Sequence, residues 1–85
     1  MFFVYILKSR KDKNLYTGYT PNLRERLKKH NLGLVESTKS RRPWYLVYYK
    51  AYASKQNAVK REHNLKLRAK ALRQLRMKVQ RSLEI

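Results

Sequence analysis

Two phenols, a guanidinium, an imidazole and a carboxylate occur at spacings that could support hydrolysis of a phosphodiester. Tyr5 and Tyr16 lie in neighbouring apolar runs, Arg26 and His30 follow one helical turn apart, and Glu62 lies further on among cations. Phosphodiester cleavage needs a nucleophilic water, positive charge beside the non-bridging oxygens and help for the departing oxygen. These residue types can meet all three needs.

Each of these residues has a simpler interpretation when it is taken alone. The chain has seven tyrosines, so either Tyr5 or Tyr16 by itself is more readily a packing residue of a strand. Arg26 alone is a solvated cation, and His30 alone is a partner of the helix dipole. Their joint spacing favours function, because Arg26 and His30 at i and i+4 share one face of a helix.

Glu62 is a candidate metal ligand because the chain has only five acidic residues and this one lies inside Lys60-Arg61-Glu62-His63. The alternative is an ion pair with Lys66 at i+4, which contributes only about 0.3 to 0.5 kcal/mol when exposed. That is a weak reason to place an acid on a basic helix. Glu25 and Lys29 have the same spacing with nothing around them, so we expect that pair to be solvated surface.

The net charge predicts a polyanionic partner. There are 22 Lys and Arg residues against five acidic ones, a formal charge of +17, whereas solubility alone requires a magnitude of about 2 to 8. Self-repulsion at this charge opposes compaction, and a phosphate backbone would relieve it. An anionic membrane surface or an RNA scaffold would also do so, and the charge alone does not choose among them.

The composition also limits the class of protein. The chain has no cysteine, which excludes disulfides and thiolate zinc sites and is compatible with a cytoplasmic location. The opening apolar run of seven residues is too short for a signal sequence or a membrane span, so we expect a strand and no membrane association. We expect residues 1–85 to form one domain ending in a basic helix.

The candidate residues must be positioned by a β-hairpin and a short helix. Apolar runs at 2–7 and 15–19, separated by a polar stretch, predict the hairpin. Gly18 inside the second strand predicts a bulge or a close approach to the backbone, by a phosphate for example. Thr20-Pro21 predicts a helix over 21–31 with Thr20 as its N-cap.

The second half of the chain is predicted to add a loop over 34–43, a strand over 44–49 and two helices. Ser54 is a candidate N-cap for the first of these helices. Its packed face would carry Ala58, Glu62, Leu65 and Ala69. The apolar positions of the last helix are Leu72, Leu75, Val79 and Leu83.

In these spacings the chain resembles the GIY-YIG nuclease superfamily, and most closely its small single-domain members. The resemblance covers most of the chain. Two positions depart from the pattern, since Phe3 replaces the glycine of the first motif and Thr17 the isoleucine of the second, and neither removes a polar catalytic group. The matching elements are Phe3-Val4-Tyr5, Tyr16-Thr17-Gly18 eleven residues after Tyr5, Arg26 ten residues after Tyr16, His30 and Glu62.

The resemblance implies an α+β fold, with a three-stranded antiparallel sheet flanked by helices, and one-metal hydrolysis of DNA. In the family's scheme Tyr16 accepts a hydrogen bond or proton from water, and Tyr5 shares or supports that role. Arg26 holds the phosphate, and Glu62 binds Mg²⁺, or Mn²⁺ in its place, beside the leaving group. A free phenol has a pKa near 10, so a basic tyrosine would need help from Arg26 or the metal.

The remaining cations predict contacts to the nucleic-acid backbone, with recognition of structure in preference to sequence. Trp44 or Tyr19 could stack on a base, although the core is the favoured place for Trp44. The predicted backbone contacts are Lys39, Arg41, Arg42 and Lys60.

Two function classes remain open, and the catalytic set distinguishes them. The first is a metal-dependent DNA endonuclease that is targeted by a protein partner or by a homodimer, or that cuts slowly and indiscriminately. The second is a nucleic-acid-binding module that retains the fold without cleavage. A pure binder has no reason to combine Tyr16, Arg26 and Glu62, so we favour the first. An RNA-associated protein is a third interpretation, which leaves the tyrosine and glycine spacing unexplained.

Overall fold

A computed structural model describes residues 1–83, and the side chains through residue 71. The three strands form one antiparallel sheet in the order β2-β1-β3, with β1 at its centre. The predicted α+β class and the three-stranded antiparallel sheet are confirmed. The elements are β1 Phe2–Ser9, β2 Leu15–Thr20, α1 Leu23–Leu32, a 3-10 turn Lys39–Arg41, β3 Trp44–Tyr52 and α2 Lys55–Leu83.

The predicted hairpin is present, and its polar turn is closed by side chains. The Ser9 hydroxyl accepts hydrogen bonds from the backbone N–H groups of Lys11 and Asp12, each at 3.1 Å. Asp12 Oδ1 accepts one from the N–H of Asn14 at 2.9 Å. Lys13 takes a left-handed conformation with a φ of 65°. These local bonds satisfy the backbone where the ladder ends.

The main hydrophobic cluster lies between α1 and one face of the sheet, and Val4 on the other face is also fully buried. Tyr5, Leu7 and Trp44 are buried at the centre of the cluster, and Leu23 and Leu27 of α1 pack against them. The register between β1 and β3 is interrupted between Ile6 and Leu7. The irregular pairing therefore lies between β1 and β3, whereas the pairing between β1 and β2, which includes Gly18, is regular.

The start of α1 differs from the prediction by two residues. The helix begins at Leu23, and its N-cap is Asn22, whose side-chain oxygen accepts from the N–H of Glu25 at 3.2 Å. The Thr20 hydroxyl instead accepts from the N–H of Asn22 at 3.1 Å. Two good capping residues compete here, and Thr20 forms a turn before the helix.

One continuous helix, α2, replaces the two that the sequence predicted. Ala69-Lys70-Ala71 holds strong helix formers without glycine or proline, so nothing ends the helix there. The predicted cap at Ser54 is present, with its hydroxyl accepting from the Asn57 N–H at 3.4 Å.

The packed face of α2 is shorter than predicted. Ala58 is fully buried, and Glu62 and Leu65 are half-buried, as expected, but Ala69 is exposed. The N-terminal part of α2 therefore packs on the sheet, and the helix then runs beyond it. The predicted apolar positions Leu72, Leu75, Val79 and Leu83 lie outside the residues whose side chains are described.

The beginning of β3 is tied to α1 and to the preceding loop. The Asn31 side chain bonds to both backbone groups of Trp44, accepting from its N–H at 2.7 Å and donating to its carbonyl at 3.0 Å. Trp44 Nε1 donates to the Thr38 carbonyl at 3.0 Å. Trp44 is only 3% exposed, so its predicted place in the core is confirmed. Across the described residues, neither helix is long and apolar enough to cross a membrane.

Candidate active site

Tyr5 and His30 form a buried pair at the centre of the site. Tyr5 extends from the central strand β1, and His30 extends from the last turn of α1 toward it. The Tyr5 Oη atom lies 2.8 Å from His30 Nε2. Both residues are at most 1% exposed, so the hydrogen bond is shielded from solvent.

Thr38 fixes the orientation of the His30 ring from its other side. His30 Nδ1 lies 2.8 Å from Thr38 Oγ1, and the Thr38 hydroxyl donates to the Val35 carbonyl at 3.4 Å. Thr38 therefore accepts from Nδ1–H, which leaves the Nε2 lone pair to accept the Tyr5 hydroxyl proton. This direction assigns the neutral Nδ1–H tautomer to His30.

Burial shifts the pKa values of both members of the pair toward their neutral forms. Burial raises the pKa of Tyr5 to about 12, while the Arg26 guanidinium acts in the opposite direction and nearby Tyr16 and Glu62 raise it further. Burial, followed by the positive charge of Arg26, lowers the pKa of His30 to about 4. At neutral pH the pair is therefore a protonated phenol and an uncharged imidazole.

Gly18 has no side chain because the phenol ring of Tyr5 occupies the space that a Cβ atom would fill, and not because the strand forms a bulge. Gly18 lies opposite Tyr5 in the β1–β2 register. A Cβ atom at Gly18 would lie 2.5 Å from Tyr5 Oη and 2.6 Å from its Cζ. Tyr5 is thus the group that approaches this glycine, so the predicted close approach is present and is made by a side chain of the protein.

Tyr16 and Arg26 lie beside the buried pair and are more accessible than it is. Tyr16 is half-buried, and its ring packs edge-on against His30 with 5.2 Å between ring centroids. Arg26 is also half-buried, one turn before His30 on α1. It is close enough to affect the pKa values of both Tyr5 and His30.

Glu62 is brought to the same site by α2. Its side chain is 13% exposed, and its charge contributes to the raised pKa of Tyr5. Lys66 Nζ lies 2.5 Å from Glu62 Oε1 and also 5.6 Å from the centroid of the Tyr16 ring. The predicted alternative, an i,i+4 ion pair, is therefore present. Its carboxylate is far less exposed than that of Glu25, whereas Lys66 is as exposed as Lys29.

Glu62 is the carboxylate that this site offers to a metal ion. Within the described part of the chain, no group of three or more His, Cys, Asp or Glu side chains could hold a metal ion. Mg²⁺ accepts one or two carboxylates when water and substrate phosphate supply its remaining ligands. Glu62 fits that arrangement, with Lys66 as a competitor for its oxygen atoms.

The predicted backbone-binding cations have unequal surroundings. Lys60 is exposed, and Lys39 is exposed and paired with Glu36 at 3.1 Å. Arg42 Nε donates to the Lys39 carbonyl at 2.7 Å, and its guanidinium packs against Gly33.

Arg41 is the most constrained of these cations. Its Nε donates to Asp12 Oδ2 at 2.6 Å, and its guanidinium lies 4.7 Å from the centroid of the Trp44 ring. The loop cations therefore also hold the loop in place, and their contact with phosphate stays a prediction.

Sequence reasoning missed Thr38 and Lys66 as members of the site. A threonine eight residues after His30, in a loop, follows no periodic pattern that would indicate contact. The i+4 spacing of Lys66 from Glu62 does predict a contact, but the spacing alone indicates an ordinary surface ion pair.

Comparison with known proteins identifies relatives along most of the chain. The sequence profile described as the GIY-YIG catalytic domain matches residues 1–76. The chain is 48% identical over 65 residues to the UPF0213 protein of Staphylococcus haemolyticus. The aligned segment covers 75% of this chain and 78% of that protein. A UPF0213 protein of Staphylococcus aureus strain Mu3 matches with the same identity and coverage.

A solved structure has the same fold. It is the solution NMR structure of the UPF0213 protein BH0048 from Bacillus halodurans, with a TM-score of 0.51 and 36% sequence identity. The match covers 92% of this chain and 86% of that one.

Proposed function

This chain belongs to the GIY-YIG family of nuclease domains, and on that basis we propose that it is a metal-dependent endonuclease that hydrolyses phosphodiester bonds in DNA. The observation that carries the proposal is the proximity of Tyr16, Arg26 and Glu62 to one buried phenol, since all three act on the pKa of Tyr5. A binding surface needs cations, but it does not need a half-buried carboxylate beside them.

The two tyrosines have different tasks in this proposal. Tyr16 is half-buried and accepts a hydrogen bond from the attacking water, which orients that water toward phosphorus. Tyr5 has a pKa of about 12 and keeps its proton at neutral pH. Its hydroxyl proton points to His30, so its oxygen lone pairs can accept a hydrogen bond from Arg26.

Arg26 binds the non-bridging oxygens of the phosphate, and His30 is a positioning residue. The buried imidazole contacts Tyr5 and keeps the phenol in one orientation. An anionic phosphate bound at Arg26 would offset one of the two causes that lower the pKa of His30. The imidazole therefore becomes a better proton acceptor when substrate is bound.

Glu62 would hold Mg²⁺, or Mn²⁺, beside the leaving oxygen. A bound divalent cation supplies Lewis-acid stabilisation of the departing oxygen and a more acidic water. Lys66 must release Glu62 for this to happen, and its ammonium can then pair with a phosphate oxygen. In the same proposal, a protein partner or a second copy of the chain targets the enzyme. The enzyme recognises the structure of DNA in preference to its sequence.

A second candidate function is supported by the Glu62–Lys66 pair itself. At 2.5 Å, the ammonium occupies the one carboxylate of the site. If Lys66 stayed paired with Glu62, the carboxylate could not bind a metal ion, and the protein would bind nucleic acid without cutting it.

Cleavage of a labelled DNA panel would decide between the two. The panel contains duplex, single-stranded, flapped and four-way-junction DNA with matched RNA, each tested in Mg²⁺, Mn²⁺ and EDTA. We expect metal-dependent cutting of DNA by the parent chain and its loss in Glu62→Ala, with nucleic-acid binding retained.

Glu25→Ala is the matched control, because Glu25 forms the same i,i+4 pair with a lysine but lies on the exposed surface of α1. It should cut at the parent rate. Cutting by Glu62→Ala at the parent rate would remove Glu62 from the scheme. Tight binding without cutting by the parent chain, on every substrate and metal, would favour the binding module.

A further inference from the structure

An apolar groove lies between the N-terminal half of α1 and the face of the sheet formed by β1 and β3. We call it the α1–β3 groove, and its volume is about 500 Å³. Leucines form much of its lining, two aromatic rings line it from the sheet, and one cation lines it from the helix. Its lining includes Phe3, Leu23, Arg24, Leu27, Leu46 and Tyr49.

The two aromatic residues of the groove are not fully packed by the protein. Tyr49 is 57% exposed, and Phe3 is half-buried. Their ring centroids are 6.4 Å apart, with the ring planes inclined at 57°. Two large rings thus present apolar surface to the groove, and a flat apolar ligand would cover that surface.

The groove adjoins the candidate active site. Tyr49 pairs directly with Tyr5 in the β1–β3 register, and side chains that are paired in this way have Cβ atoms about 5 Å apart on one face of a sheet. Phe3 lies two residues before Tyr5 on β1, about 7 Å along the strand and on the same face. The groove is therefore next to the phenol that the site is built around.

The chemistry of the groove suits a nucleobase better than a phosphate. Its aromatic and leucine side chains offer stacking and apolar contact, while the solvent-exposed Arg24 places one positive charge at its edge. The +17 charge of the chain would attract the sugar-phosphate backbone. A base attached to that backbone would then be delivered to the aromatic rings, as in proteins that bind single strands.

We propose that the α1–β3 groove is a subsite for an unpaired nucleobase adjacent to the scissile phosphate. The inference rests on the proposed nuclease function, because it places the scissile phosphate at Arg26. A base within an intact duplex is stacked and paired, and it would have to be flipped out at a cost of a few kcal/mol to enter the groove. The substrate class is therefore DNA with an unpaired nucleotide beside the cut, as at a flap, a gap or a single-stranded junction.

This assignment changes which aromatic residues meet a base. Of the two that the sequence suggested, Trp44 is buried in the core, and Tyr19 alternates with Gly18 and so lies on the opposite face of β2 from the groove. Phe3 takes part instead, and it is the residue that departs from the glycine of the first motif. The departure thus supplies a ring where a glycine would leave none.

Binding measured in EDTA tests the subsite independently of cutting. The probes are two duplexes of equal length, one fully paired and one with a single-nucleotide gap opposite an unpaired base, followed by fluorescence anisotropy. We expect the parent chain to bind the gapped duplex more tightly. Tyr49→Ala should weaken that binding roughly tenfold and leave the affinity for the paired duplex unchanged, and Tyr49→Phe should restore the preference.

Tyr48→Ala is the matched control. Tyr48 is the adjacent residue of β3, is 40% exposed and points to the other face of the sheet, so its loss should change neither affinity. The subsite would be overturned if Tyr49→Ala kept the parent's ratio of affinity for the gapped duplex to affinity for the paired duplex. This includes the case in which the variant loses the same factor of affinity for both duplexes. A parent dimer that becomes a monomer in Tyr49→Ala, by sedimentation velocity, would also overturn it by assigning the groove to a second copy of the chain.

These outcomes separate the subsite from the nuclease function. A chain that cuts DNA but shows no Tyr49-dependent preference lacks only the subsite. A chain that shows the preference but cuts nothing lacks the proposed activity and still has a base-binding groove.

Discussion

At the scale of single residues, the hydrogen bonds of His30 control the geometry of the site. Its two ring nitrogens bond to Tyr5 and Thr38, each at 2.8 Å, and the ring is fully buried. Neither nitrogen can turn to water for another partner. A change at Thr38 is therefore transmitted to the Tyr5 hydroxyl through the ring.

Thr38→Val should destabilise the protein and slow cleavage at unchanged DNA affinity. Valine has a similar shape but leaves the buried His30 Nδ1–H without an acceptor, which costs about 1 to 3 kcal/mol. Urea unfolding and cleavage rates would measure the two effects, and nitrogen NMR of the ring would report the loss of the Nδ1–H tautomer. Thr17→Val, on the opposite face of β2 from the core, is the control. Equal stability of the two variants would contradict the role assigned to Thr38.

The pKa of His30 predicts a loss of stability in mild acid. The unfolded imidazole binds a proton as the pH falls through 6.5, whereas the folded one does so only near its pKa of about 4. The unfolded state therefore binds more protons over this window, and the free energy of unfolding falls by at most about 3 kcal/mol as the pH drops from 6.5 to 4. Urea midpoints across the window would show this decline.

The His30→Gln variant should lack the part of the decline that belongs to the imidazole. Asp12 acts in a lower window, because its hydrogen bond with Arg41 lowers the pKa of the carboxyl from 3.8 to about 2. The stability that Asp12 contributes is lost only as the pH falls from about 4 to 2. A decline between pH 6.5 and 4 that persists unchanged in His30→Gln would refute the assignment to His30.

The types and order of the proposed site residues could be taken from the sequence, but their contacts could not. Tyr5 and His30 are 25 residues apart, and their hydrogen bond depends on the depth at which α1 packs on the sheet. Gly18 was noticed as a close approach, yet the approaching atom is known only once the β1–β2 register pairs it with Tyr5. Local patterns do not encode such register-dependent contacts.

At the scale of secondary-structure elements, Asn31 joins the end of α1 to the beginning of the edge strand β3. Its side chain satisfies the N–H and the carbonyl of Trp44 on the side where, among the described residues, no further strand pairs. Trp44 is in turn part of the core. One amide thus links helix, edge strand and core.

Asn31→Ala should lower the free energy of unfolding by about 1 to 3 kcal/mol, since two hydrogen bonds are lost. Asn64→Ala is the matched control, because it makes the same change at an exposed position of the other helix, where alanine favours the helix. Urea unfolding of both variants would test this. An Asn31→Ala variant as stable as Asn64→Ala would mean that water replaces the amide at no cost.

The elements themselves were largely predictable, and the errors have physical causes. Strands at 2–7, 15–19 and 44–49 follow from apolar runs bounded by polar segments, although β3 continues to Tyr52. The predicted start of α1 was wrong because Thr20 and Asn22 are both good capping residues and Asn22 is the one that caps the helix. The prediction of two helices in place of α2 was wrong because the apolar positions change after Ala69 without any residue that would end the helix.

At the scale of the whole molecule, positive charge is spread over an elongated shape with a longest dimension of 49 Å. We expect DNA affinity to fall by roughly 10³ to 10⁵ between 50 and 200 mM salt if about six to ten phosphates are contacted. Anisotropy titrations at several salt concentrations would give the slope. A flat dependence would show that the +17 charge is not used to hold a phosphate backbone.

The order of the candidate site residues along the chain has a consequence during translation. A ribosome delivers the sheet, both tyrosines, Arg26 and His30 before it delivers α2, which carries Glu62 and the buried Ala58 that packs it on the sheet. A chain interrupted after β3, by stalling or by a protease, would have most of the groups proposed to bind phosphate but not Glu62, the proposed metal ligand. In the proposed mechanism, incomplete copies are therefore harmless to the genome of the cell that makes them.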